Sequence, residues 1–112
     1  MEISRAAAVQ PYDAAGHFGM VALRMHGGPN SALKDATVGL SHFEPGGGAS
    51  LSASAADRVY VVVDGEITVE AGGEVATLGA FDSCFIPAGE SRLVENRSTK
   101  KCSMLVYTRT PV

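Results

Sequence analysis

The chain reads as a single all-β domain, and three observations predict it. The 112 residues hold about eight short runs rich in valine, isoleucine, leucine and tyrosine, the residues that suit a pleated half-buried surface. Thirteen glycines and five prolines punctuate those runs at regular intervals. No stretch carries the three-to-four-residue apolar period of a long amphipathic helix. One domain is the expected count for this length, and such a chain hides roughly two thirds of its unfolded surface. A sandwich or closed barrel is the architecture these features imply.

The elements follow in order. Residues 1–16 are small and polar, broken by Pro11 and Gly16, and read as a surface arm. Gly19 to Met25 suits a short strand. His26 to Ser31 is a dense turn cluster. Thr37 to Phe43 alternates, with Val38, Leu40 and His42 on one face and Gly39, Ser41 and Phe43 on the other. Pro45-Gly46-Gly47-Gly48 predicts a corner that ends this strand, since proline cannot donate to a ladder. Arg58 to Val63 is a strong strand. Asp64-Gly65 carries the signature of a two-residue hairpin, returning through Glu66 to Glu70. Gly72-Gly73 turns into Val75 to Leu78. Ser83 to Ile86 has the look of a buried strand, closed by Pro87-Ala88-Gly89. Ser91 to Glu95 and Cys102 to Thr108 are the last two strands, split by the polar loop 96–100.

Charge and composition exclude several functions. The net charge is −3, with no basic cluster, so nucleic acid is not an expected partner. No apolar run approaches the roughly 20 residues of a membrane span. The N-terminus lacks the charged start and apolar core of a signal peptide. Cys84 and Cys102 have neither metal-ligand spacing nor the density of a disulfide framework. A reducing cytoplasmic setting is expected, with both thiols inert.

Two segments resemble the paired motifs of the cupin superfamily, small jelly-roll β-barrels. In the first, Gly46 is followed at family spacing by Ser52, Ser54, Arg58 and Gly65. In the second, Pro87-Ala88-Gly89 is intact, Arg92 and Asn96 follow at family spacing, and Phe81 stands where a glycine is usual. The resemblance covers about residues 37–107 and implies a single cupin-like jelly-roll barrel. In the family, the positions held here by Ser52, Ser54, Arg58 and Arg92 carry two histidines, an acid and a third histidine, which ligate a metal.

That departure has a chemical consequence. Transition metals need imidazole, thiolate or carboxylate donors. Serine hydroxyls ligate poorly, and a guanidinium has no lone pair to give. Using Asp57 in place of Arg58 turns the side chain to the opposite strand face. No metal and no other cofactor is therefore expected at the usual site. What remains is a pocket with Ser52, Ser54, Arg58 and Arg92 as ligand-binding residues and Tyr60 on the same strand face as Arg58. Two guanidiniums about 6 Å apart repel by roughly 3 kcal/mol at an effective dielectric near 20, so something negative belongs between them. A small carboxylate-bearing metabolite fits, because arginine forks bind carboxylates in pairs of hydrogen bonds. A structural ion pair with Glu44, Asp57 or Glu90 is the alternative.

If the protein is an enzyme, proton transfer is the available chemistry: isomerisation, epimerisation or elimination. His42, beside the glycine corner, and Tyr60 are then the catalytic candidates. The competing reading is a binding, sensor or scaffold module without turnover. An acid–base group inside the pocket separates the two. His17 and His26 fall in loop-like sequence outside the resemblance. A homodimer is expected from the resemblance, with the valine strand as a second buried face.

Overall fold

A computed structural model describes residues 1–110 as eight strands. They are β1 (His17–His26), β2 (Ala36–Ser52), β3 (Asp57–Asp64), β4 (Ile67–Ala71), β5 (Glu74–Leu78), β6 (Ser83–Ile86), β7 (Arg92–Glu95) and β8 (Cys102–Arg109). All pairings between these strands are antiparallel, in the order β5-β4-β7-β2-β8-β3-β6, with β1 beside β2. The expected jelly-roll barrel is present, and every predicted strand lies within or overlaps one of these eight. Among the described residues no helix is long and apolar enough to cross a membrane.

β2 organises the barrel, and here the structure corrects the sequence. The Pro-Gly-Gly-Gly run does not end the strand: β2 continues through it and changes neighbours. Ala36–Phe43 pairs with β8, whereas Gly48–Ser52 pairs with β7. Gly46 takes a φ of 83° that bends the chain, and backbone bonds of 2.8 Å tie Gly46 and Gly47 to Asn96. A Cβ on Gly47 would sit 2.0 Å from the Gly19 carbonyl oxygen, and one on Gly48 2.1 Å from that of Val94. These glycines let three backbones meet at the bend. Asn96 is fully buried and donates to the carbonyls of Phe43 and Lys100, so it holds the 96–100 loop onto the same bend.

Asp64-Gly65 is also not a hairpin. β3 pairs with β6 and β8, while β4 pairs with β5 and β7. The turn carries the chain across the barrel from β3 to β4, which are not neighbours. Gly65 has a φ of 78°, and a Cβ there would lie 2.5 Å from the Lys101 carbonyl oxygen. The same residue pair that matches a tight hairpin turn thus serves a crossing of the barrel, where strand pairing is decided elsewhere. The Gly72-Gly73 turn is a true hairpin joining β4 and β5.

The core lies between the sheets. Phe43, Val62, Ile67, Ile86, Val94, Cys102 and Met104 are each no more than 2% exposed. Burying a side chain of this kind contributes about 1.5–3 kcal/mol. β6 departs from its reading as a buried strand: it is an edge paired only with β3, and Phe85 is 59% exposed. The N-terminal arm stays on the surface, as expected, but it is tied down. Glu2 accepts hydrogen bonds from Ser31 Oγ at 2.6 Å and the Ala32 amide at 2.8 Å, and its carboxylate lies 3.2 Å from His26 Nδ1. Tyr12 bridges to Ala22 of β1.

Candidate functional site

Strand register places the inward side chains in layers. Arg58, Thr108 and Thr37 stand side by side across β3, β8 and β2. The next layer is Tyr60, Val106, Gly39 and Arg24; below it come Val62, Met104, Ser41 and Ala22. From the other sheet, β7 presents Arg92 and Val94, and Val94 lies in register with Ala49 and, through it, His17. Between these walls is a cavity of about 170 Å³. A cavity of about 150 Å³ takes a benzene ring, so this one suits a small ligand.

The lining is cationic at one end. Arg58 and Arg92 are 6% and 5% exposed and border the cavity with Tyr60. Arg92 Nε donates to the Tyr60 hydroxyl oxygen at 2.8 Å, and its Nη1 donates to the Ser50 carbonyl at 2.8 Å and to Ser52 Oγ at 3.0 Å. Arg58 Nη2 donates to the Glu90 carbonyl at 3.3 Å, and its Nε is buried with no partner. Arg24 borders the exposed mouth, with its guanidinium stacked 4.6 Å from the ring centre of Tyr12. No aspartate or glutamate lines the cavity.

The ion-pair alternative fails on this geometry. Among the described residues, neither Arg58 nor Arg92 has a carboxylate partner. Glu44 pairs with Lys101 at 3.5 Å. Asp57 pairs with Arg109 and accepts from the Ala88 amide at 2.9 Å, and these bonds hold its carboxyl below the usual range. The Glu90 carboxylate lies against Gly72, and only its backbone reaches Arg58. Asp57 and Ser54 instead pin the Pro87-Ala88-Gly89 turn, since the Gly89 amide donates to the Ser54 carbonyl at 2.8 Å. That turn connects β6 to β7, which carries Arg92.

The other predicted site residues divide. Ser52 is exposed but holds Arg92. Ser54 turns its hydroxyl to the Ala56 amide at 3.1 Å and is not among the residues lining the cavity. His42 likewise is not among the residues lining the cavity. On β2 it alternates with Ser41 and Phe43, which face the cavity, and its Nδ1 lies 2.7 Å from Ser103 Oγ on the outer side of the sheet. Strand parity dictates this: the face holding Gly39, Ser41 and Phe43 is the inner one.

The sequence reading missed Tyr12, Arg24 and His17, all of which border the cavity. β1 begins at His17, two residues before the strand predicted there, and lies against the bent half of β2. The bend that continues β2 brings His17 to the site, and its signal was hidden in the Pro-Gly-Gly-Gly run. Both thiols are unpaired among the described residues. Cys102 is fully buried and its thiol is pushed up to about 11, mainly by burial, with Asp64 and Glu66 adding to it. Burial also raises the Cys84 thiol.

The four positions that hold metal in the resembled family do not fit a metal here, because Ser52, Ser54, Arg58 and Arg92 offer no imidazole, thiolate or carboxylate. Among the described residues no three His, Cys, Asp or Glu side chains come together as a metal site.

Comparison with known proteins agrees with the architecture. Residues 39–108 match the model of the cupin domain. The chain is 34% identical over 112 residues to a beta-D-galactosidase of Mycobacterium tuberculosis, covering all of this chain and 97% of that one. The polyketide cyclase RemF of Streptomyces resistomycificus superposes with a TM-score of 0.86 at 16% identity, over 99% of this chain and 80% of that one. An RmlC-like cupin from Shewanella frigidimarina gives 0.78 at 20% identity, over 99% and 92%. With the motif spacing, the barrel and these matches together, the chain belongs to the cupin family.

Proposed function

We propose that this cupin binds a small carboxylate-bearing metabolite without a metal, gripping it between Arg58 and Arg92. One observation carries the reading: two buried guanidiniums face a cavity without a carboxylate, and the Nε of one of them has no acceptor. An unpaired buried charge is costly, and a buried donor without a partner costs about 1–3 kcal/mol or more. A bound carboxylate removes both penalties. Tyr60, Ser41, Thr37 and Thr108 offer hydroxyls for a polyhydroxylated ligand.

The name of the Mycobacterium relative, a beta-D-galactosidase, points to a galactose-containing ligand. Most glycosidases use two carboxyl groups flanking the bond, and the cavity has none. A sugar acid of one ring combines that hint with the arginines. The test is a thermal-shift titration with D-galacturonate, D-galactose and pyruvate. The acid is expected to raise the melting temperature by mass action, and galactose is not. Equal shifts from galacturonate and galactose, or an unchanged galacturonate shift in Arg58→Ala and Arg92→Ala, would overturn the reading.

The outward position of His42 favours the binding-module reading as far as that residue goes. Two further features belong to the proposal. The unpaired cysteines suit a reducing compartment, the cytoplasm. The outer face of the β2-β8-β3 sheet suits a second copy of the chain.

A further inference from the structure

We propose that His17 is the catalytic base of this cavity, and that the substrate is a small carboxylate with a hydrogen on the carbon next to a carbonyl group. The inference rests on the carboxylate reading above and assigns that ligand a reaction.

Any base in the cavity must come from its lining, and the lining holds no aspartate, glutamate or cysteine. Its arginines stay protonated. Tyr12, Tyr60 and His17 remain, and imidazole is the natural proton acceptor among these near neutral pH. His17 is half-buried and its ring is oriented. Its Nδ1 lies 2.9 Å from the Ala15 carbonyl oxygen. A carbonyl can only accept, so Nδ1 carries the hydrogen, and in the neutral ring the lone pair sits on Nε2. No hydrogen bond from the described residues occupies Nε2. This is the arrangement of a base whose tautomer is held by a backbone group.

Tyr60 supplies the complementary group. Its oxygen accepts from Arg92 Nε, so its own hydrogen remains to be donated. Both residues border the same cavity of about 170 Å³. The step balances without an oxidant. The C–H bond breaks and Nε2–H forms on His17. The electron pair moves into the enolate, and the developing negative oxygen receives the Tyr60 hydroxyl bond. Arg58 and Arg92 hold the carboxylate. Return of the proton to the same or the neighbouring carbon completes an exchange or an isomerisation.

The experiment follows hydrogen–deuterium exchange in D₂O by proton NMR. Pyruvate is read at its methyl signal and D-galacturonate at the hydrogen on C2. Wild type is expected to exchange at least one probe. His17→Ala is expected to slow that exchange on the order of 100-fold or more, the usual lower bound for a lost general base. It should keep the thermal shift given by the same probe, and added imidazole should restore part of the exchange. His17→Gln provides a second variant if the alanine change loosens β1. Exchange in both variants at the wild-type rate overturns the proposal. So does a wild type that binds a probe and exchanges neither, which leaves carboxylate binding standing. If neither probe shifts the wild-type melting temperature, the binding reading fails and this one falls with it.

Discussion

The Tyr60 hydroxyl accepts a hydrogen bond from Arg92 Nε at 2.8 Å, a contact that joins β3 of one sheet to β7 of the other inside the barrel. Both residues are nearly buried, at 3% and 5% exposure. Tyr60→Phe removes the acceptor and leaves a charged donor unsatisfied. The cost is about 1–3 kcal/mol, which lowers the melting temperature by about 4 °C for each kcal/mol in a domain of this size. Calorimetry on the two proteins checks it. An unchanged melting temperature would mean the contact holds nothing together.

Arg58 presents the opposite case. Its Nε has no partner and its charge has no counterion among the described residues, so the ligand-free protein carries a built-in penalty. Arg58→Met keeps most of the side-chain length and discards the charge. The variant is expected to melt higher than wild type, by about 1–3 kcal/mol of added stability, as seen when buried ionic groups give way to apolar ones. It should also lose the galacturonate-induced shift. Stability gained with binding lost is the pattern of a functional residue. A destabilised Arg58→Met that still binds would contradict the role given to this guanidinium.

Gly39 tests the cavity without touching any charge. It lies between Arg24 and Val106 in the layer that contains Tyr60, and its missing side chain leaves that space open. An added Cβ would come no closer than 3.4 Å, to the Leu23 carbonyl oxygen, an ordinary contact. Gly39→Leu is therefore expected to fold, with a wild-type circular dichroism spectrum, and to fill the cavity. The galacturonate shift should shrink in Gly39→Ala and vanish in Gly39→Leu. Full binding in the leucine variant would place the ligand elsewhere.

These residues show what the sequence made legible. Periodicity and turn residues located the strands, because side-chain alternation is local. The arginines were found through motif spacing, and their charge made the missing counterion a question worth asking. Which face of Thr37–Phe43 looks inward was not local information, so alternation alone left the side taken by His42 open. The partners of β3 and β4 are likewise set by long-range pairing, and Asp64-Gly65 was read as a hairpin for want of it. Phe81 is an instructive middle case. It was noticed standing where the family has glycine, and its φ of 71° explains the family's choice. That conformation costs a side-chain-bearing residue roughly 1–2 kcal/mol, and nothing in the structure explains why phenylalanine occupies it, 83% exposed.

The arm gives a prediction in pH. The Glu2 carboxyl is held down to about 2, first by the Ser31 hydroxyl, then by the Ala32 amide and His26. Its ordinary value is 4.5. A carboxyl with a lowered folded-state pKa favours the folded arm above its unfolded value, and that contribution disappears as pH falls through the folded one. The contact is therefore whole above about pH 4.5 and lost towards pH 2. The Ala32 amide proton, which Glu2 accepts, should titrate in NMR with a midpoint near 2, and Glu2→Gln should abolish the titration. A midpoint near 4.5 would mean that the arm is free in solution.

The outer face of the barrel leads to the last prediction. Val38, Tyr107, Val59 and Phe85 lie in register across β2, β8, β3 and β6, with His26 of β1 beside Val38, and Leu40, Leu105 and Val61 form the next row, ended by the buried Leu23 of β1. A sheet with one face in the core normally turns polar residues to water, yet these rows contain no Asp, Glu, Lys or Arg. Tyr107 and Phe85 are 41% and 59% exposed. Five strands about 4.8 Å apart make a face roughly 20 Å wide, and eight paired residues at about 3.4 Å each make it roughly 27 Å long. The resulting 500 Å² or so in projection is of the order that a partner contributes to a standard interface. Arg109 and Asp57 stand at one end of this face and Asp64 at the other, so apolar rows lie between charged ends, and such a face can match itself about a two-fold axis. Light scattering at micromolar concentration is expected to give twice the chain mass for wild type. Val61→Lys, which sets like charges across the axis, should give the single chain mass and leave the cavity intact. A monomeric wild type would mean that this face serves a different partner.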